Sequence, residues 1–127
     1  MSAGLFEAAR AAMQHAHAPY SKFPVGAAIL TDTGKVFSGC NIENASYPEG
    51  WCAETSAIAH MVMGGETRIA EVAVVAEKMP LITPCGGCRQ RLKEFGAAET
   101  LIHLCDESGV VETVTLGVLL PKGFALG

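Results

Sequence analysis

Charge is scarce in this chain. Of its 127 residues only 17 % are Asp, Glu, Lys or Arg, and the formal balance is −4, where ~25 % charged residues are usual. The nine basic residues are scattered along the sequence rather than gathered into a stripe. Tracking a phosphate backbone needs a positive footprint, so no polynucleotide partner is expected. No stretch approaches the ~18 uninterrupted apolar residues of a membrane span. "MSAGLFEAARAAM" also lacks the basic-then-apolar pattern of a secretory leader. A soluble cytoplasmic protein without a membrane partner is the expectation. Repeats, linkers and low-complexity tracts are missing too, and the length suits one core, so residues 1–127 read as a single domain. The apolar excess that accompanies so little charge needs a sink, and subunit interfaces would supply one.

Five cysteines are present. In a reducing compartment they read as thiols or metal ligands rather than disulfides, and their odd number agrees. They are best placed after a coarse reading of the elements. Apolar residues Leu5, Ala8, Ala12, Met13 and Ala16 recur at helical spacing, predicting a helix over residues 3–17 that Pro19 ends. "PVGAAILT" (24–31) and "KVFSGCNIE" (35–43) are strand-like and flank the turn signal "DTG". A second helix is predicted from Trp51 to Met63, closed by Gly64 and Gly65. "IAEVAVVAE" (69–77) is almost wholly apolar and suits a central strand buried on both faces. After a loop bracketed by Pro80 and Pro84, "CGGCRQRLKEF" (85–95) makes a third helix ended by Gly96. "TLIHLC" (100–105) and "VVETVTL" (110–116) are joined by a link too short for a parallel crossover, so they form an antiparallel hairpin. The order α-β-β-α-β-α-β-β predicts an α/β fold: a three-layer α/β/α domain around a mixed five-stranded sheet.

Cys52 and Cys85 each open a predicted helix, and Cys85 and Cys88 stand three apart on one helix face. Two such helix ends aimed at one point would gather three thiols. Helix N-termini favour anions and lower thiol pKa values, and three thiolates hold zinc while leaving a fourth tetrahedral position open. Glu54 alone would read as a first-turn acid that favours the helix dipole. Beside "PCGGC" it reads as the general acid/base next to the metal. A redox C-x-x-C is the rival for "CGGC", but it leaves "CAE" unexplained. A structural zinc would want a fourth protein ligand, and His15, His17, His60 and His103 offer none convincing; each reads as a surface or hydrogen-bonded core histidine. Cys40 and Cys105 lie in apolar strands and read as packed thiols.

The paired motifs "CAE" and "PCGGCRQ", with "PYSKFPVGAAI" and "GCNIENASYPEG" upstream, resemble the small cytidine deaminases of the three-cysteine class. The likeness runs from Ala18 to Phe124. It implies hydrolytic deamination of free cytidine and 2′-deoxycytidine, a pyrimidine-salvage reaction in which a zinc-activated water attacks C4 of the base. By position it implies Cys52, Cys85 and Cys88 as ligands of one zinc per chain and Glu54 as proton shuttle. Ala53 and Phe23 would lie against the base, and Asn41 and Glu43 on the sugar hydroxyls. The alternation of those last two supports the pairing, since i and i+2 on a strand share a side. The resemblance further implies a homotetramer in which Phe124 crosses to a neighbour's site. Related enzymes that act on cytosine-containing antibiotic nucleosides share the zinc motifs, and a zinc-bearing binding module is a reading from another class; intact Glu54 speaks against the latter. One departure stands out. Many three-cysteine relatives follow the glutamate with arginine, which relieves the negative charge of the thiolates; here the position is Thr55. Helix dipoles, backbone N–H groups and the Thr55 hydroxyl are expected to compensate.

Overall fold

The computed structural model describes residues 2–79 and 81–126. Pro80, expected to open the loop ahead of Cys85, lies outside the described residues. The elements run α1 (Ser2–Met13), β1 (Val25–Thr31), β2 (Val36–Cys40), α2 (Ala53–Met63), β3 (Ile69–Ala76), α3 (Gly86–Phe95), β4 (Leu101–Asp106), β5 (Gly109–Thr115) and α4 (Leu116–Leu119), with a 3-10 turn at Tyr47–Glu49. The five strands form one open sheet in the order β2-β1-β3-β4-β5. β1 pairs antiparallel with both β2 and β3, β3 runs parallel to β4, and β4 and β5 make the expected antiparallel hairpin. β3 is the central strand.

Alternation along the strands builds two cores. Ala27 and Ile29 of β1, Val72 and Val74 of β3, and Ile102 and Leu104 of β4 face α2 and α3, where Ala57, Met61 and Leu92 meet them. Ala28, Leu30, Ala73, Val75 and Cys105 point the other way, against Leu5, Phe6, Ala9 and Met13 of α1. This is the three-layer arrangement that a sheet buried on both faces requires. His103 is buried on β4 but satisfied: Nε2 meets Glu71 Oε1 at 2.7 Å and Nδ1 meets Thr113 Oγ1 at 2.8 Å, tying three strands together.

Several expected boundaries shift. The first helix ends at Met13, not His17. Its last N–H groups tighten onto i−3 carbonyls through Ala16, and His17 then leaves the helix axis to donate to Asn41 O at 3.0 Å and accept from Glu43 N at 2.8 Å. The buried stripe is Leu5, Phe6, Ala9 and Met13, so Ala8, Ala12 and Ala16 lie off its centre. The second strand stops at Cys40, after which Ile42 alone bridges His17 and Trp51. The last strand yields after Thr115 to α4, because the Thr115 hydroxyl accepts from Val118 N at 3.3 Å and caps a helical turn. The "DTG" turn is present, with Gly34 at φ +91°, a conformation that costs glycine nothing.

Two glycines on neighbouring strands let the helices close on the sheet. A Cβ at Gly26 would collide with the Ala9 carbonyl oxygen of α1 and stand 2.7 Å from Met13 N. One at Gly39 would collide with the Ala57 amide of α2 and stand 2.7 Å from Ser56 Cβ. Gly26→Ala should therefore destabilise the protein by ~1–3 kcal/mol in denaturant unfolding. Gly4→Ala, at an open helical position with nothing within 4 Å, should instead stabilise it by ~0.5–1 kcal/mol. Equal effects of the two changes would contradict the close approach.

Candidate functional site

β2 and β3 run in the same direction, since each is antiparallel to β1. The helices that follow them, α2 and α3, lie on the same face of the sheet and so both begin at one edge, outside the carboxyl ends of those strands. Open α/β sheets form their sites there. Cys52 is the N-cap residue of α2 and Cys85 that of α3, both with extended backbone. An N-cap side chain ordinarily accepts from the first-turn N–H groups; neither thiol does. Their sulfurs are free to face each other at the positive ends of two helix dipoles.

Cys52, Cys85 and Cys88 bring their sulfurs within 4.8 Å of one another, and the Cys52–Cys85 separation is 3.9 Å. Zinc–sulfur bonds of ~2.3 Å at tetrahedral angles put two sulfurs ~3.8 Å apart, whereas a disulfide needs ~2.0 Å. The geometry fits a three-cysteine zinc site. Without a cation these thiols frustrate one another. Cys52 is held below the usual thiol range, chiefly by a hydrogen bond from Cys88. Cys88 is pushed well above it, first by giving that hydrogen bond, then by burial, then by the nearby Glu54 carboxylate. A dication removes the conflict by binding all three as thiolates. Cys40 is half-buried and Cys105 fully buried in the α1-side core, apart from this cluster.

Glu54 is 4 % exposed in the first turn of α2. Burial raises its pKa, against weaker opposing pulls that include Cys88 and Arg91. A carboxyl raised above its usual range takes up a proton more readily than an exposed one, which suits a group that must both accept and give protons. Ala53, the first residue of α2, is buried at 1 % exposure. Thr55 Oγ1 stands 3.7 Å from Cys88 Sγ, so the hydroxyl expected to help compensate the thiolates is in contact with one.

From Cys52 a cleft of about 470 Å³ extends along Trp51, Tyr47, Glu43, Asn41 and Tyr20, within the ~300–1,000 Å³ usual for small-molecule sites. Asn41 and Glu43 lie beyond β2, yet still share a side, because Ile42 between them exchanges two 2.9 Å backbone hydrogen bonds with Trp51. Glu43 Oε1 accepts from Tyr20 N and Ser21 N, both at 3.0 Å, and the Ser21 hydroxyl donates to Oε2. These bonds, that hydroxyl first, hold the Glu43 carboxyl below its usual range. Asn41 accepts from Val25 N and donates to Phe23 O, each at 2.9 Å, which leaves one N–H and one lone pair for a ligand. Phe23 is half-buried beside this network and does not line the cleft. Phe124 is 69 % exposed. It is not brought to its own chain's cleft; Gln90 of α3 grips its backbone, Nε2 donating to Phe124 O at 2.9 Å and Oε1 accepting from Phe124 N at 3.2 Å.

The sequence reading assigned no role to Arg91, whose Nη1 stands 3.7 Å from Cys88 Sγ, nor to the Tyr20–Ser21 backbone that fixes Glu43. The signal for Arg91 was available, since three residues after a ligand on a helix is the same face. The Tyr20 contact spans 23 positions of sequence and left no local trace.

An α/β/α sheet with three helix-borne thiols and a buried glutamate is the architecture of a zinc enzyme of the nucleobase-deaminase class. Residues 2–104 match the cytidine and deoxycytidylate deaminase zinc-binding region. A cytidine deaminase of Sporosarcina psychrophila is 40 % identical over 121 residues, 95 % of this chain and 89 % of that protein. The crystal structure of cytidine deaminase from Burkholderia pseudomallei superposes with a TM-score of 0.92 at 44 % identity, covering 98 % of this chain and 99 % of that one. That of the Mycobacterium tuberculosis cytidine deaminase gives 0.87 at 40 % identity, over 98 % and 97 % of the two chains. The chain belongs to the cytidine deaminase family. Among the described residues no helix is long and apolar enough to cross a membrane.

If these three thiols and not the other two hold the metal, alanine at Cys52, Cys85 or Cys88 should strip most of the zinc found by elemental analysis. Cys40→Ala and Cys105→Ala should leave it in place. Zinc loss from the Cys40 variant with retention in the Cys85 variant would reverse the assignment.

Proposed function

We propose that this protein converts free cytidine and 2′-deoxycytidine to uridine and 2′-deoxyuridine with release of ammonia, as a pyrimidine-salvage enzyme. The observation that carries this reading is a buried glutamate in the first turn of the helix that begins after Cys52, the residue at which a cleft lined by Asn41 and Glu43 among its polar groups ends. Cys52, Cys85 and Cys88 would hold zinc, which when bound would supply the Lewis acidity that makes a water nucleophilic at neutral pH. Glu54 takes one proton from the attacking water and gives it to N3 of the ring; it then takes the second, from the new hydroxyl on C4, and gives it to the amino group, which leaves as ammonia while the C4 carbonyl forms. A C4–O bond forms, the C4–N bond breaks, and no redox partner is required. Ala53 positions the base, and Phe23, outside the cleft's lining, contributes through its carbonyl, which accepts from Asn41 Nδ2 at 2.9 Å. Glu43, kept ionised by Ser21, and the remaining N–H of Asn41 bind the sugar hydroxyls; a 3′-hydroxyl suffices, so ribose and deoxyribose both fit.

A net charge of −4 and a small cleft favour a free nucleoside over a polynucleotide. Five free cysteines suit a reducing cytoplasm. We further propose that residues 1–127 act as one domain and assemble as a homotetramer, which would cover exposed Trp51, Val118, Phe124 and Leu126 and place Phe124 over a neighbour's substrate.

Glu54→Gln should keep its zinc and its fold while losing ~10²–10⁴-fold in kcat, because an amide cannot relay protons; near-normal turnover would remove Glu54 from the mechanism. Phe124→Ala should raise KM with zinc unchanged, stacking on a base being worth ~1–3 kcal/mol. Refolded together, Phe124→Ala and Glu54→Gln chains should be more active than the sum of the two alone. Mixed tetramers without that gain would place Phe124 outside the neighbour's site.

A further inference from the structure

Three thiolates outweigh one dication, so this site carries surplus negative charge before any substrate arrives. Thr55, a neutral hydroxyl, meets Cys88 at 3.7 Å but brings no charge. On the opposite helix, Arg91 lies one turn beyond Cys88 and turns Nη1 back to that sulfur at 3.7 Å. The guanidinium rests over Gly87: a Cβ added there would stand 3.2 Å from Arg91 Nη1 and 3.7 Å from Cζ. Gly87 has neither a left-handed backbone angle nor a tight turn to account for it. The room it leaves is occupied by the arginine. Arg89, closer to Cys88 in sequence, is committed elsewhere, donating from Nε to Pro84 O at 2.7 Å and from Nη1 to Leu119 O at 2.9 Å.

We propose that Arg91 is the charge-compensating partner of the zinc site: its guanidinium, seated in the space left by Gly87, turns toward the Cys88 sulfur and strengthens metal binding from the α3 side. It is a positioning residue and touches neither substrate nor reacting atoms. A hydrogen-bond donor to a ligating sulfur draws off electron density and fixes the ligand's orientation, and outer partners of this kind are typically worth ~10–100-fold in metal affinity. Arginine suits the position because it stays charged at every working pH and offers several donors in one plane.

The inference rests on Cys52, Cys85 and Cys88 being the zinc ligands, and the experiment keeps the two claims apart. Zinc affinity is measured by competition with a chromophoric chelator for wild type, Arg91→Met, Arg91→Lys and Gly87→Ala, alongside denaturant unfolding of each metal-free protein. Arg91→Met should bind zinc ~10–100-fold more weakly with unchanged metal-free stability, and Arg91→Lys should recover part of the loss. Gly87→Ala, which improves helix propensity, should nonetheless weaken zinc binding by displacing the guanidinium. If wild type binds no zinc, the ligand assignment fails. If wild type binds zinc and Arg91→Met binds it equally well, or loses affinity only in step with metal-free stability, the role given to Arg91 is overturned.

Discussion

Three sulfurs within 4.8 Å of one another cannot all ionise unless a cation stands among them, and the rest of the molecule is organised around that constraint. The fold brings two helix N-termini to one point and places a cysteine at each cap, where the dipoles favour negative charge. A third cysteine follows one turn into α3. Neither cap thiol spends itself on its own helix, which keeps both sulfurs directed at the shared centre. Held together without metal, the thiols contend for protons; with zinc, the same proximity becomes binding energy.

The scaffold that makes this convergence possible is set by small residues far from the sulfurs. Gly39 lets the backbone of α2 come down onto β2, and Gly26 does the same for α1 on β1. A helix held farther from the sheet would carry Cys52 and Glu54 away from α3. Gly39 therefore links packing to chemistry. Burial of Glu54 follows from that descent, and burial is the main cause of its raised pKa.

Much of this was legible from residue order. The strand and helix sequence, the central place of the 69–76 strand and the closing hairpin follow from apolar periodicity and link length, and all are present. The thiol cluster followed from two cysteines at helix starts and a third at i+3. Local patterning failed where a distant partner decided the outcome. His17 leaves its helix for the backbone at 41–43, Ile42 is taken from its strand by Trp51, and Thr115 caps a turn where β-branched residues suggested continued strand. Glu43 was chosen as a hydroxyl ligand, but the backbone that orients it comes from Tyr20 and Ser21. The substitution of Thr55 for a charged residue was visible, and so was the arginine near the same sulfur, since Arg91 follows Cys88 by three residues on α3 and shares its face.

The central claim, that a metal held by these thiols and a proton moved by the adjacent glutamate deaminate cytidine, is tested most directly in one titration. Metal-free protein is mixed with cytidine, zinc is added in substoichiometric steps, and the loss of cytidine absorbance is followed together with ammonia release. The account predicts no turnover at the start, a rate that climbs in proportion to added zinc, and a break at one zinc per chain. Turnover by the metal-free protein, or a fully loaded protein that leaves cytidine intact, would contradict it.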